Sequence, residues 1–512
     1  MLSVGTTVGV TLVNVYNGLA RPVSVSVGDT SVRVPAFSHA KLTIGNDEDY
    51  PVRTVTDSGE LVEQFDASIP VGSNESVYNV AGASMLVEWT QTYGGASQIP
   101  DRMVGAQRWA TSSAEDIFEE PPDSISTSRS SGGGQRKVLS AFGHDNPSAL
   151  MQMLEDEEQR MQVIRTHARW DPSDGRYTAY WLALASRDAG FSEIVRARLK
   201  ADPEDVLTLR AEQDARPDLR AAVCKRHQAL AAAQPTSVNF QYVAARCIDD
   251  DDRRDQAFAN LYAQAPNNGW VASAMGYTYA GHARWGEAAA ALEVARKLVP
   301  SMSERLALDT MRVRRILSSD GSAQSSDLLP QSNALRYFVA VVAGEKLQSG
   351  MDEAYQHIAR GDVDAAVKVK IGDPEEGARV LRLAAACDGA SPEIVARALA
   401  LPSDQGIDHT TVWSSLALAV RERKDPAPYV ALIREGKDDE DEKVLSFITS
   451  LRTAAHPADA ESLLDGISID ARGVAYSTAV VILGPRAPAE WRRGADRLLF
   501  VPERPYIRVD AI

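Results

Sequence analysis

Five prolines, Pro172, Pro203, Pro235, Pro266 and Pro300, stand 31, 32, 31 and 34 residues apart. Proline has no backbone N–H and its ring clashes with the preceding turn, so it stops a helix wherever it falls beyond the first turn. Even placement therefore cuts the chain into segments of nearly equal length, the mark of a stacked repeat. Three of the five sit in Asp-Pro-Ser-Asp, Asp-Pro-Glu-Asp or Ala-Pro-Asn-Asn, which are turn sequences. Each interval has room for two helices, as in residues 178–187 and 192–200, separated by Asp188-Ala189-Gly190. The spacing predicts an array of helical hairpins. Alanine-rich stretches such as Ala288-Ala289-Ala290-Ala291 and Leu383-Ala384-Ala385-Ala386 suit closely packed helices.

Residues 269–300 carry more than spacing. Ala272, Met275-Gly276, Tyr279, Ala288, Leu292, Ala295 and Pro300 follow one another at set intervals. Gly276 and Ala288 let two helices approach closely, Met275, Tyr279 and Leu292 fill the gap between hairpins, and Pro300 ends the second helix. This stretch resembles a tetratricopeptide repeat. It departs from that family's pattern at Ala272, where a larger apolar residue is preferred, and at Leu292, where an aromatic is preferred. A partial echo lies at residues 354–373, where Arg360-Gly361-Asp362 forms a turn before Ala365-Ala366. The resemblance is specific over about 32 residues and architectural over roughly 350. It implies assembly through protein contacts.

Ahead of the helices the period changes. Val23, Val25 and Val27, then Val32 and Val34, alternate with polar residues, the pattern of a half-buried strand. Asn17-Gly18, Gly28-Asp29 and Asp57-Ser58-Gly59 supply turns. Six or seven strands in residues 8–100 predict a small antiparallel β sandwich. The expected architecture is multidomain α+β: a β sandwich over residues 1–105, an extended or disordered Ser-, Pro- and Gly-rich linker over 106–137, an α-solenoid of tetratricopeptide-like hairpins over 138–485, and a capping tail over 486–512.

The formal net charge of −16 argues against nucleic acid, which demands clustered Lys and Arg. Cys224, Cys247 and Cys387 are odd in number and set in alanine-rich surroundings, so the expectation is three small buried hydrophobes without a disulfide or zinc site. Asp249-Asp250-Asp251-Asp252 and Asp439-Glu440-Asp441-Glu442 lack the alternating ligands and central Gly of a calcium loop, and read as solvated turns between helices. Asn74-Glu75-Ser76 matches a glycosylation acceptor by chance. The glycines at 132–134 lack the spacing of a phosphate loop. The eight histidines are scattered singly, and no nucleophile elbow, kinase or dinucleotide signature is present. The sequence thus points to no catalytic residue, no cofactor and no metal.

An array of hairpins offers an extended face lined by the first helix of each unit. In the best-matched repeat Trp270, Ser273 and Tyr277, spaced by three and four, form a stripe distinct from Met275 and Tyr279. They are the candidate partner-binding residues. The function expected is a non-enzymatic scaffold or adaptor for protein or peptide partners; the sequence sets no oligomeric state. No run approaches the ~18 apolar residues of a membrane span, and the amino terminus has no signal pattern, so a cytoplasmic location is the default expectation. Two other readings stay open. An apolar span upstream of Met1 would make the chain the soluble sensory or regulatory part of a membrane-associated system. A pocket between the β domain and the first hairpins, holding two titratable groups within hydrogen-bond distance, would favour an enzyme.

Overall fold

The computed structural model describes residues 11–45, 49–68, 75–93, 100–122, 135–143, 147–318, 350–359, 361–436, 438–451 and 457–499. The chain divides into two units, residues 1–243 and 244–512.

The first unit opens with twelve strands: β1 (Thr11–Asn17), β2 (Val23–Val27), β3 (Thr30–Val34), β4 (Ser38–Ile44), β5 (Asp49–Thr56), β6 (Leu61–Ser68), β7 (Glu75–Asn79), β8 (Met85–Thr92), β9 (Pro100–Gly105), β10 (Trp109–Ser112), β11 (Asp116–Ile117) and β12 (Gln135–Phe142). They form three four-stranded sheets, ordered β10-β7-β1-β4, β11-β12-β8-β9 and β3-β2-β5-β6. Antiparallel pairs dominate, but β1 with β7 and β11 with β12 run parallel, unlike the all-antiparallel arrangement expected. Alternation does its work where it was clearest: Val23, Val25 and Val27 are wholly buried and join Val13, Val15, Val52 and Tyr78 in one core.

The β region also runs further than residue 105, because β10, β11 and β12 fall in 109–142. β12 pairs with β8 along its whole length, and Asp116 receives two hydrogen bonds from Arg136 at 2.6 and 2.7 Å. The polar opening Gln135-Arg136-Lys137 reads like the end of a hydrated linker, whereas here it is the partly exposed end of a paired strand. The serine- and glycine-rich part of the expected linker, 123–134, lies outside the described residues, as does Asn74.

Helices follow: α1 (Pro147–Met153), α2 (Glu157–Trp170), α3 (Thr178–Ala185), α4 (Phe191–Ala201), α5 (Val206–Ala215), α6 (Arg220–Ala233) and α7 (Val238–Ala245), then α8 (Asp251–Gln264), α9 (Gly269–Gly281), α10 (Trp285–Leu298) and α11 (Ser303–Leu317). Pro172, Pro203, Pro235, Pro266 and Pro300 precede α3, α5, α7, α9 and α11, so each interval holds two helices. The first helices belong to the β region as much as to one another. Trp170 of α2 is in the β core, Thr166 Oγ1 donates to the Ala81 carbonyl at 3.1 Å, and Gln159 Oε1 accepts from the Ala106 N–H at 2.9 Å.

The second unit continues with α12 (Gly350–Ala359), α13 (Val363–Ala366), α14 (Pro374–Ala386), α15 (Pro392–Leu399), α16 (His409–Arg421), α17 (Ala427–Glu435), α18 (Asp439–Ser450), α19 (Ile469–Leu483) and α20 (Ala489–Arg497). Between α12 and α13 Gly361 adopts φ +76° and Asp362 caps α13, the turn expected there. Of the expected tail, residues 489–497 are helical and Leu498 and Leu499 are buried; 500–512 lie outside the described residues. A stacked array joins near neighbours in sequence. This unit builds one core from α9–α11 together with α16–α20, including Leu292, Leu306, Val313, Trp413, Phe447 and Trp491, and a second around α12–α15.

Both acidic runs are helix starts, not the interhelical turns expected. Asp250 caps α8 through the Arg253 N–H, with Asp251 and Asp252 in its first turn. Asp438 caps α18, whose first turn is Asp439-Glu440-Asp441-Glu442. Carboxylates there meet the unpaired N–H groups and the positive end of the helix dipole. The cysteines also differ from expectation: Cys224 and Cys247 are disulfide-bonded, and only Cys387 keeps a buried thiol. Among the described residues no helix is long and apolar enough to cross a membrane.

Candidate functional site

The C-terminal turn of α2 reads His167-Ala168-Arg169-Trp170-Asp171, and Pro172 ends the helix. A four-residue spacing puts His167 and Asp171 on one face. His167 Nδ1 lies 2.9 Å from Asp171 Oδ2, and its Nε2 lies 2.8 Å from the Ala83 carbonyl. Both partners are acceptors, an arrangement that favours the protonated imidazole with both ring nitrogens donating. Burial alone would lower its pKa; the Asp171 charge and hydrogen bond and the Ala83 carbonyl outweigh burial and raise it. Asp171 Oδ1 accepts in turn from the Ala20 N–H at 2.9 Å.

Neighbouring side chains fix this pair. Trp181 of α3 stacks on the imidazole with centroids 4.6 Å apart and planes 10° apart. Arg198 of α4 donates to the Ala168 and Asp171 carbonyls at 3.0 and 2.6 Å, covering carbonyls that the end of α2 leaves open. It also pairs with buried Asp205 at 3.1 Å. Gly175 permits the α2–α3 turn, since a Cβ there would stand 2.5 Å from Thr178 Oγ1 and 2.9 Å from the Pro172 carbonyl.

Beside the pair lies a cavity of about 190 Å³, closed by Ala20 and Phe37 from the β loops and by Arg176, Tyr177 and Trp181 from the α2–α3 turn and α3. Phe37 is 39% exposed and holds φ +52°, a left-handed conformation costly for a bulky side chain. The Arg176 guanidinium lies over the Tyr177 ring, 5.0 Å from its centroid. The cavity thus offers flat apolar walls with a cation beside them.

No family model, curated protein or solved structure matches this chain. A base that accepts a proton needs a free lone pair. Both ring nitrogens of His167 already have partners, and its Nε2 meets a backbone carbonyl where a proton-relay histidine would meet its substrate or nucleophile.

The three residues read from the sequence lie on α9, in the second unit. Ser273 is 2% exposed. Trp270 and Tyr277 are partly buried against the large helical core. Tyr277 Oη donates to Asp309 Oδ2 of α11 at 2.7 Å, with Arg305 over its ring at 5.7 Å. Burial and the Asp309 charge hold the phenol far above its ordinary pKa. The stripe therefore joins α9 to α11 and leaves parts of two rings at the surface. The sequence reading missed the α2–α3 pocket because His167 was weighed singly. Its signal was a His and an Asp four apart, directly before a helix-stopping proline.

Proposed function

We propose that this chain is a non-enzymatic scaffold or adaptor that holds a polypeptide segment, with the α2–α3 pocket as one docking point. The observation that carries this reading is the pocket itself. Its walls are Phe37, Tyr177 and Trp181, while its acid–base pair is wholly spent on fold-defining hydrogen bonds. Aromatic slots beside an Arg are the features that dominate polypeptide recognition. The segment expected carries an aromatic or large aliphatic residue next to an Asp or Glu.

In this reading the hairpins are tetratricopeptide-like units forming an array, and the β sheets close as a sandwich beside them. Supporting it, Gly276 of α9 sits against Leu292 of α10, Ala288 and Ala295 are wholly buried, and Tyr279 meets Tyr262 of α8 edge to face. Residual surface at Trp270 and Tyr277 gives the second unit its own contact patch.

The test is binding of the full chain to an immobilised peptide library, repeated with Phe37→Ala and Tyr177→Ala. Peptides pairing an aromatic with an acidic residue should be retained, with affinity about tenfold lower in either variant and an unchanged melting temperature. Retention indifferent to both substitutions would remove the pocket from the proposal. A second reading, an enzyme, draws on the 2.9 Å separation of His167 and Asp171. It requires His167 to release the Ala83 carbonyl when substrate enters, and turnover abolished by His167→Gln in a protein that still binds would favour it.

A further inference from the structure

A second cavity, of about 280 Å³, lies in the second unit between the segment after α13, α14 and α15. The sequence Val367-Lys368-Val369-Lys370-Ile371 alternates, and the structure uses that alternation. Val367, Val369 and Ile371 line the cavity with Leu401, while Lys368 and Lys370 between them are exposed to water. The lining is aliphatic and only partly covered, an arrangement that leaves apolar surface for a ligand to bury.

Two polar heads also line it, Arg397 of α15 and Gln405. Neither side chain has a hydrogen-bond or ion-pair partner among the described residues. Three other arginines of this unit are paired: Arg379 with Asp408 at 2.9 Å, Arg421 with Glu422 at 2.9 Å and Arg434 with Glu442 at 2.8 Å. Asp373 caps α14 through the Glu375 N–H, and Glu375 accepts from the Gly406 N–H at 2.7 Å. On a chain of net charge −16, Arg397 thus brings a cation to an aliphatic slot.

We infer that this cavity binds a carboxylate borne on a short aliphatic chain. The tail fills the space lined by Val367, Val369, Ile371 and Leu401, and the carboxylate meets the Arg397 guanidinium, whose fork matches it, with the Gln405 amide as a second donor. That chemistry has two sources, a free short-chain acid or the C-terminal residue of a polypeptide ending in an aliphatic side chain.

The experiment is calorimetric titration of the full chain with hexanoate, hexanol and hexylamine, and with a peptide ending in Leu, with a free and with an amidated terminus. Hexanoate or the free-terminus peptide should bind, with hexanol, hexylamine and the amidated peptide at least tenfold weaker. Arg397→Gln should lower the affinity about tenfold, and Val369→Trp, which fills the slot, should abolish binding, both without change in the circular dichroism spectrum. Preference for hexanoate identifies a small acid, and preference for the peptide identifies a chain terminus. Equal binding of acid and alcohol, full affinity in Arg397→Gln, or no binding by either carboxylate overturns the assignment.

Discussion

Arg472 Nη2 donates to the carbonyl oxygen of Gly281, 191 residues earlier in the chain, at 2.6 Å. The same nitrogen reaches the Leu464 carbonyl at 2.6 Å, and Nη1 reaches Tyr476 Oη at 3.2 Å. Tyr476 Oη donates to Glu461 at 2.6 Å, and Trp491 Nε1 donates to the same carboxylate at 3.3 Å. A fully buried guanidinium therefore ties the end of α9 to the start of α19. Arg472→Met should destabilise the second unit by roughly 1–3 kcal/mol, the cost of leaving buried acceptors short of a donor. The Gly466 N–H, already 3.0 Å from the Gly281 carbonyl, keeps the cost within that range. A shift of the urea midpoint at constant slope measures it.

His167 sets a pH dependence of known sign. Its folded pKa is raised above the ordinary imidazole value of 6.5. The stability it contributes is thus fully present below the unfolded pKa and is lost as pH rises through the folded one. Denaturation midpoints of the first unit should fall as pH climbs from about 6.5, and His167→Gln should flatten that slope. Equal slopes in the two proteins would place the titration elsewhere.

Gly276 tests how closely α9 and α10 approach. A Cβ there would stand 2.7 Å from Leu292 Cδ2 and 3.2 Å from the Leu292 backbone nitrogen. Gly276→Ala should cost about 1–3 kcal/mol as overpacking. Pairing it with Leu292→Ala should cost less than the sum of the single changes, because the second change opens the space the first needs. Thermal melting of the four proteins reads the coupling.

Arg198→Met leaves Asp205 buried without its partner and uncovers two carbonyls at the end of α2. A loss of about 3–5 kcal/mol is expected, and Arg198→Met with Asp205→Asn should recover part of it. Calorimetry on the single and double variants settles whether the charge or the helix end dominates.

Tyr277→Phe removes the hydroxyl that donates to Asp309, which keeps Arg312 at 2.7 Å. A charge-linked hydrogen bond of this kind contributes about 1.5–3 kcal/mol. A melting temperature unchanged in Tyr277→Phe would show the ring to be a surface group first.

Much of the helical half was legible. Proline punctuation located α3 to α11 because a missing N–H and a clashing ring act locally, whatever the tertiary context. Val23, Val25 and Val27 announced β2 for a similar reason, since alternation needs only one buried face. β11, with two residues, has too short a pattern to read, and β12 hides its polar end in a serine- and glycine-rich stretch. Strand order, with β1 between β7 and β4, depends on pairings up to 63 residues away and leaves no local mark. The same holds for the pocket: Phe37 and Trp181 are 144 positions apart, and only the docking of α2 on the β region brings them together.

The shared core of α9–α11 and α16–α20 has a consequence for synthesis. When residue 317 leaves the ribosome, the partner face ending near residue 499 is still roughly 180 residues from being made, or about 10–35 seconds at ordinary elongation rates. Through that interval the nascent chain carries Leu292, Leu306 and Val313 without the Trp413, Phe447 and Trp491 that finally cover them. The second unit is therefore committed late, by its last helices.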